Sequence, residues 1–262
     1  MEITLLVVAM TALAGIERLP SLRFQPSRFF RPYFTTDLVY LGSGGLLLAL
    51  LVRALVLRLR SQAGLPQPMA HGGIPLPLLT LLAIVAYDFG GFVSHRLLHR
   101  VQPLWELHKV HHSSPTLDWL ATYRAHFLEH LLRHVLSLAL LLLLGFPVAV
   151  VGLAGATYTA WAVFGHANFR PELRFLEPLL ITPRLHRLHH VPETGSRNLG
   201  TIFSIWDRLT GNLLLRTTPT PERIGVPGEL DTYPQSWIPQ LIHPLREILR
   251  NAGEARGIGS AA

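Results

Sequence analysis

The stretch Leu131–Phe164 reads LLRHVLSLALLLLLGFPVAVVGLAGATYTAWAVF, and it decides the fold. As one helix at 1.5 Å per residue it would reach about 50 Å, well beyond a hydrocarbon core of about 30 Å. Gly145-Phe146-Pro147 breaks it near the middle, because proline cannot continue a helix and disfavours helical geometry in the residue before it. The sequence therefore predicts a membrane hairpin of two antiparallel helices whose outer ends face the same side.

Three further apolar segments precede the hairpin, at Ile3–Ile16, Leu38–Leu57 and Ile74–Val93. The second and third are long enough to cross a bilayer. We interpret the first as a short retained span, because it begins Met1-Glu2 and lacks the basic segment that opens a signal peptide. The fold class expected is an all-α integral membrane protein, a transmembrane helical bundle of about three spans plus a re-entrant helical hairpin.

The composition supports a membrane protein and excludes several kinds of site. Hydrophobic residues make up 49% of the 262 residues and charged residues only 15%, against about 25% charged in soluble domains. The absence of cysteine excludes disulfides, thiolate zinc sites, iron-sulfur clusters and cysteine nucleophiles. The net charge of +7 comes from scattered arginines and the single Lys109. Without basic runs or interleaved aromatic residues, no nucleic-acid partner is expected.

The arginines indicate the orientation, since cytoplasmic loops carry the excess of positive charge. Segments 17–36, 94–130 and 165–262 are arginine-rich, which places them in the cytoplasm and the N-terminus outside. All the histidine clusters fall in the last two segments. We therefore expect a cytosolic histidine-rich helical cap above the membrane bundle.

Histidine is the second outlier, with 14 residues against 16 carboxylates. The clusters with metal-ligand spacing are His95 with His99, His108 with His111-His112, and His186 with His189-His190, while His166 lies between the last two. Residues three and four apart share a helix face, so His95 and His99 can grip one ion. In each HxxHH box the two adjacent histidines splay about 100° apart and can serve two neighbouring ions. The spacing favours a paired metal centre, and imidazole alone fits iron, zinc, copper or nickel.

The sequence gives weaker evidence of metal binding for the other histidines. His126, His130 and His134 form a row that enters the hairpin, and two interpretations stay open: a polar interfacial face, or a ligand set completed by His126 or His130. His71 and His243 lie alone in proline-containing loops, where no ligand role is expected. Six carboxylates near the clusters can orient imidazole N–H groups: Asp88, Glu106, Asp118, Glu129, Glu193 and Asp207.

Over about residues 85–215 the ordered motifs resemble the fatty acid hydroxylase and sterol desaturase superfamily of membrane-bound di-iron oxygenases. The motifs are His95-Arg96 with His99, Pro103–His108 continuing to His111-His112-Ser113, Thr122–His126 with Glu129, His166 with Asn168, Pro183-Arg184 before His186, His189-His190, Asn198, Gly200 and Trp206–Leu209. The resemblance implies a di-iron centre on the cytosolic cap that acts on a lipid.

The resemblance also implies which residues ligate the metal and form the catalytic centre: His95, His99, His108, His111, His112, His166, His186, His189 and His190. Some relatives carry one more histidine just before the equivalent of His166, but Trp161–Gly165 offers none here. Water, His126 or His130 would then fill one coordination position. The implied cofactors are two iron ions (Fe²⁺), which zinc can replace in purified protein, with O2 as co-substrate.

The function expected is hydroxylation of an unactivated C–H bond of a lipid, namely a fatty acyl chain, a sterol or a related isoprenoid. A lipid desaturase on the same centre is the alternative within the family, and a zinc-binding membrane hydrolase or transporter is the alternative from another class. Transporters place ligands near the bilayer midplane, whereas these histidines flank the spans. No dinucleotide fingerprint is present, so electrons are expected from a separate ferredoxin or small haem carrier with an NAD(P)H reductase.

The sequence suggests three regions. Residues 1–84 hold the N-terminal transmembrane helices and loops, residues 85–215 the catalytic domain, and residues 216–262 a Pro-rich C-terminal tail on the cytosolic face. Arginine replaces lysine almost throughout and the C-terminal end carries no retention signal, which favours a multi-pass protein of a prokaryotic cytoplasmic membrane. The oligomeric state is not predicted.

Overall fold

The fold is helical, as the sequence predicts. A computed structural model describes the chain apart from residues 1, 27, 29, 49, 52–53, 56–57, 59–72, 216–222 and 260–262. The described residues form no strand, and their only β-type pairings are two isolated bridges, Arg23 with Phe169 and Leu180 with Phe203.

The helices follow one another along the chain with short connections. They are α1 (Glu2–Ile16), α2 (Phe34–Tyr40), α3 (Leu76–Arg100), α4 (Gln102–His112), α5 (Phe127–Leu143), α6 (Val148–His166), α7 (Pro183–His189), α8 (Ile205–Leu209) and α9 (Trp237–Gly259). A π-helical segment, Leu41–Leu48, continues α2, and 3₁₀ turns occupy Ala121–Tyr123 and Pro192–Thr194.

The break predicted at Gly145-Phe146-Pro147 is present. The α5 helix ends at Leu143, and Gly145 adopts a left-handed backbone with φ of 74°. Pro147 then caps the N-terminus of α6. This short turn connects two helices that both pack against α3.

The α3 helix is the centre of the bundle. Its Leu79, Ala83 and Tyr87 form a buried cluster with residues of α5, α6 and their connection: Leu141, Phe146, Val150, Val151 and Ala154. Glycine permits close helix contact above this cluster. A Cβ atom at Gly90 would lie 2.8 Å from the Ser137 Cα of α5, and one at Gly91 would meet the Tyr158 hydroxyl of α6.

Two helices of the described part of the chain, α3 and α6, are long and apolar enough to cross a membrane. The α3 helix contains most of the predicted span Ile74–Val93 and continues to Arg100. The segment predicted as Ile3–Ile16 forms α1, which has 15 residues. The predicted span Leu38–Leu57 begins in α2 and the π-helical segment, and part of it lies outside the described residues, as does His71.

Residues 237–259 of the predicted Pro-rich C-terminal region form the long helix α9. Pro239 falls in its first turn, where the missing N–H leaves no hydrogen bond unmade. Pro244 lies inside the helix. Because of these two prolines the sequence of this segment does not look helical, although its apolar residues follow a helical spacing.

The close approach of α3 and α5 gives a test of the packing. We expect Gly90→Val to destabilise the fold by about 1–3 kcal/mol, because the new side chain meets the Ser137 backbone, which cannot move aside. Thermal unfolding in detergent micelles measures the loss. Gly253→Ala is the matched control, since nothing lies within 4 Å of its Cβ position in α9. A midpoint for Gly90→Val equal to that of the parent would contradict the close packing.

Candidate metal centre

Four helices bring the predicted histidines together. The last two turns of α3 carry His95 and His99, α4 carries the first HxxHH box, α6 ends at His166, and α7 carries the second box. Local sequence explains where α7 begins. The Thr182 hydroxyl accepts a hydrogen bond from the backbone N–H of Leu185, and Pro183 occupies the first helical position, which suits its fixed φ.

The nine histidines form two adjacent groups whose nitrogens lie within 4.8 Å of one another in each group. The first group is His95, His99, His108, His112 and His189, and the second is His111, His166, His186 and His190. Each HxxHH box contributes to both groups. Its i and i+4 histidines enter one group and the histidine between them enters the other, because adjacent side chains on a helix diverge by about 100°.

Hydrogen bonds fix the tautomer of five of these histidines. The Nδ1 atoms contact acceptors only: the carbonyl oxygens of Leu199 (His95, 2.7 Å), Arg124 (His111, 3.0 Å), Ala162 (His166, 2.8 Å) and Arg197 (His189, 2.9 Å), and the Glu129 carboxylate (His108, 2.9 Å). An acceptor requires a donor, so Nδ1 carries the proton and Nε2 presents a lone pair.

The Nε2 atoms then face one another without a proton between them. They are 3.1 Å apart in the pair His95 and His108, and also 3.1 Å apart in the pair His111 and His166. The Nε2 atoms of His99, His112 and His189 are buried and have no hydrogen-bond partner. Opposed lone pairs repel, and a buried acceptor without a partner is costly. A metal cation between the rings would remove both costs, so the donor set fits a metal centre.

Burial keeps the imidazoles neutral. In α4 and α7 it lowers the pKa of His108, His111, His112, His186 and His190 well below the usual value, and the neighbouring histidines lower it further. Burial likewise lowers the pKa of His189 to about 3. The neutral form is the one that binds metal, so the site is prepared for cations at physiological pH.

Comparisons with known proteins identify the family of the chain. The sequence profile of the fatty acid hydroxylase family matches residues 80–212. The chain belongs to the fatty acid hydroxylase family. The family predicted from the histidine motifs is therefore confirmed.

The names of the relatives of this fatty acid hydroxylase family member describe enzymes that act on lipids or sterols. Ornithine lipid hydroxylase OlsE of Rhizobium tropici is 33% identical over 65% of this chain and 51% of its own length. Alkylglycerol monooxygenase of Danio rerio is 32% identical over 50% of this chain and 29% of its own. Delta(7)-sterol 5(6)-desaturase of Eremothecium gossypii is 28% identical over 54% of this chain and 39% of its own length.

The chain thus spans about half or less of the length of these relatives. Their names describe oxygenases and a desaturase, which is the class of oxidoreductase that the sequence analysis expects. No solved structure matches the chain.

The candidate additional ligands lie apart from both histidine groups. His126 caps the N-terminus of α5, where its Nδ1 accepts from the Leu128 N–H and its Nε2 donates to the Leu241 carbonyl at 3.2 Å. The Nε2 of His130 contacts the Tyr123 carbonyl at 3.3 Å. These contacts support the interpretation of a polar face in the histidine row.

Of the six candidate carboxylates, Glu129 is the one that contacts a clustered histidine among the described residues. Glu106 pairs with Lys109, and Glu193 is exposed. Asp118 pairs with Arg31.

Asp88 and Asp207 act on the loop that follows the second box. Asp207 accepts the backbone N–H groups of Leu199 and Gly200, and the Leu199 carbonyl in turn holds His95. Asp88 accepts the N–H groups of residues 202 and 203 and the indole N–H of Trp206. Asp207 therefore orients His95 through the backbone, and Asp88 holds the same loop further along. Side-chain spacing in the sequence does not reveal either contact.

A buried ionic network supports the other group. Asp37 accepts hydrogen bonds from Arg31 (2.6 Å) and Arg124, and Arg31 also donates to Asp118 (2.7 Å). Asp37 and Arg124 are fully buried. Because the Arg124 carbonyl accepts from His111, this network fixes a histidine of the centre.

We expect Glu129→Ala to weaken metal binding about 10- to 100-fold, because His108 loses the carboxylate that fixes its ring. Glu129→Gln keeps an acceptor oxygen and should fall between this variant and the parent. Metal titration against a competing chelator measures the affinities. Glu254→Ala, at an exposed site of α9, is the control. Parental affinity in Glu129→Ala would show that this contact does not orient the ligand.

We also expect Asp37→Asn to lower the free energy of unfolding by about 3–5 kcal/mol, because two buried guanidinium groups lose their shared counter-ion. The thermal midpoint in detergent measures this loss. Asp231→Asn removes an exposed ion pair with Arg223 and should leave the midpoint unchanged. Equal midpoints for the two variants would rule out a stabilising role for the network.

Proposed function

We propose that this protein is a membrane-bound non-haem di-iron oxygenase that hydroxylates an unactivated C–H bond of a lipid, with O2 and externally supplied electrons. One observation carries the proposal: nine histidines, eight of them buried and five with the tautomer fixed, bring their ring nitrogens together in two adjacent groups. A pair of metal ions, one for each group, satisfies this donor set. Membership of the fatty acid hydroxylase family favours iron as the metal.

The nine histidines would hold the two irons, the first group one ion and the second group the other. The bound pair would supply the activation of O2 and the oxidation of the C–H bond. His126 and His130 are not part of this ligand set, because their ring nitrogens contact backbone carbonyls elsewhere. Water would fill any further coordination position.

The protein positions the centre and keeps water from it. The indole of Trp105 packs against the rings of His99 and His112, with centroids 5.0 and 5.3 Å away, and covers one side of the first group. The fixed Nδ1–H groups hold the imidazole planes in place. A dry and rigid site favours oxidation of a chosen C–H bond over side reactions with solvent.

The ends of the helices support a centre at a membrane surface. The α3 helix carries its histidines in its last two turns, and α6 ends at His166, so the C-terminal ends of both candidate spans meet at the centre. A lipid in the bilayer reaches that level without leaving the membrane. The arginine distribution supports a cytoplasmic position for this side, and the proposed catalytic domain covers residues 85–215.

The substrate proposed is a lipid with an acyl, sterol or related isoprenoid chain, since the apolar faces of α3, α5 and α6 suit a long hydrocarbon. Desaturation on the same centre is the second candidate, favoured by the similarity to the sterol desaturase of Eremothecium gossypii. Electrons would come from a ferredoxin or a small haem carrier with its reductase.

The test combines metal analysis with lipid analysis. We expect about two irons per chain after purification without added metal, one for each group. Cells expressing the protein under ¹⁸O2 should contain a lipid that carries one ¹⁸O atom as a hydroxyl group. A new double bond without ¹⁸O would identify a desaturase instead and overturn the hydroxylase proposal.

Two histidine variants test the centre itself. His111→Ala and His189→Ala each remove a ligand from a different group, and both should lose metal and product. His243→Ala is the control, because His243 lies in α9 and packs on Tyr233. Full activity in either ligand variant would contradict the ligand assignment.

A further inference from the structure

The α9 helix exposes an apolar stripe that the fold does not cover. Ile238, Ile242, Leu245 and Leu249 follow the spacing i, i+4, i+7 and i+11, which places them on one helix face. Their exposed fractions are 61%, 42%, 39% and 74%. The stripe extends over about three helical turns, or roughly 17 Å.

The opposite side of α9 is attached to the protein. Gln240 is fully buried and donates to the Ser113 hydroxyl at the end of α4. The Leu241 carbonyl accepts from His126, which caps α5. The helix is therefore held in one orientation, and the exposure of its apolar stripe is a fixed feature.

This attachment locates α9 near the membrane boundary. His126 immediately precedes α5, the first helix of the apolar hairpin, and the first residues of α5 are themselves exposed and apolar: Phe127 and Leu131. In the proposed membrane arrangement, α9 is therefore attached at the level where the hairpin enters the bilayer. Scattered apolar side chains on a protein surface are ordinary, whereas an ordered stripe next to a membrane helix indicates contact with lipid.

Two positively charged side chains lie beside the stripe. Arg246 and Arg250 follow Ile242 and Leu245 by four and five residues, and both are exposed. Both lie on one flank of the stripe, between it and the face that carries Gln240, and Arg250 also pairs with Glu247. Long arginine side chains reach headgroup phosphates from this position while their stems cover apolar surface.

We propose that α9 is an interfacial helix, with its apolar stripe at the boundary between headgroups and acyl chains and its flanking arginines at the headgroups. The occupant of the stripe is the lipid bilayer. The inference rests on the proposed membrane position of the hairpin but not on the oxygenase chemistry. In this proposal α9, which lies outside the family match, helps to hold the histidine-bearing helices at the membrane.

The cysteine-free sequence permits a direct test on the full chain. Leu249→Cys and Glu254→Cys are each labelled with the environment-sensitive fluorophore NBD and reconstituted into vesicles of phosphatidylcholine and phosphatidylglycerol. The two positions differ by about 140° round the helix. We expect the label at position 249 to emit at shorter wavelength and to be quenched by lipids that carry a nitroxide near the headgroup. The label at position 254 should behave as in water.

A second position and a dilution control keep the result interpretable. Ile242→Cys should reproduce the blue shift and quenching of position 249, and thermal midpoints equal to the parent verify folding. Equal emission and quenching at positions 249 and 254 would overturn the proposal. So would a blue shift at 249 that disappears when the protein is diluted at constant lipid composition, because the stripe would then contact a second copy of the chain.

Discussion

Repulsion among neutral imidazoles is the constraint on which the rest of the structure depends. The Nε2 atoms of clustered histidines approach to 3.0–3.2 Å, and five of the nine rings carry their proton on the other nitrogen. Bound cations would turn this repulsion into attraction. Packing and hydrogen bonds hold the rings in this arrangement, and the elements that carry them make buried contacts of their own.

Those contacts come from carboxylates that never touch a metal position. Asp88 and Asp207 fix the loop whose carbonyl holds His95, while Asp37 fixes the residue whose carbonyl holds His111. Asp37 lies outside the part of the chain that matches the family profile. The ligand set is therefore local to the family region, but its rigidity depends on segments before and after it.

Sequence reasoning succeeds where side chains alone carry the signal. Proline and glycine locate the hairpin turn, and the HxxHH spacing explains why each box divides between two histidine groups. It fails where the backbone is the partner, because carbonyl acceptors such as Leu199 leave no trace in residue types. Sequence reasoning also missed α9. The apolar spacing from Ile238 to Leu249 is present in the sequence, but Pro239 and Pro244 led to the segment being interpreted as a Pro-rich tail.

Metal binding and folding are coupled in such an arrangement. The α3 and α6 helices meet α4 and α7 at the histidine groups, so a cation that binds only the assembled site stabilises the folded state by its own binding free energy. In the proposed membrane arrangement the bilayer would act on the same elements, since α3 and α6 have the length and apolarity to span it. Metal binding and membrane contact would thus stabilise the same set of helix ends.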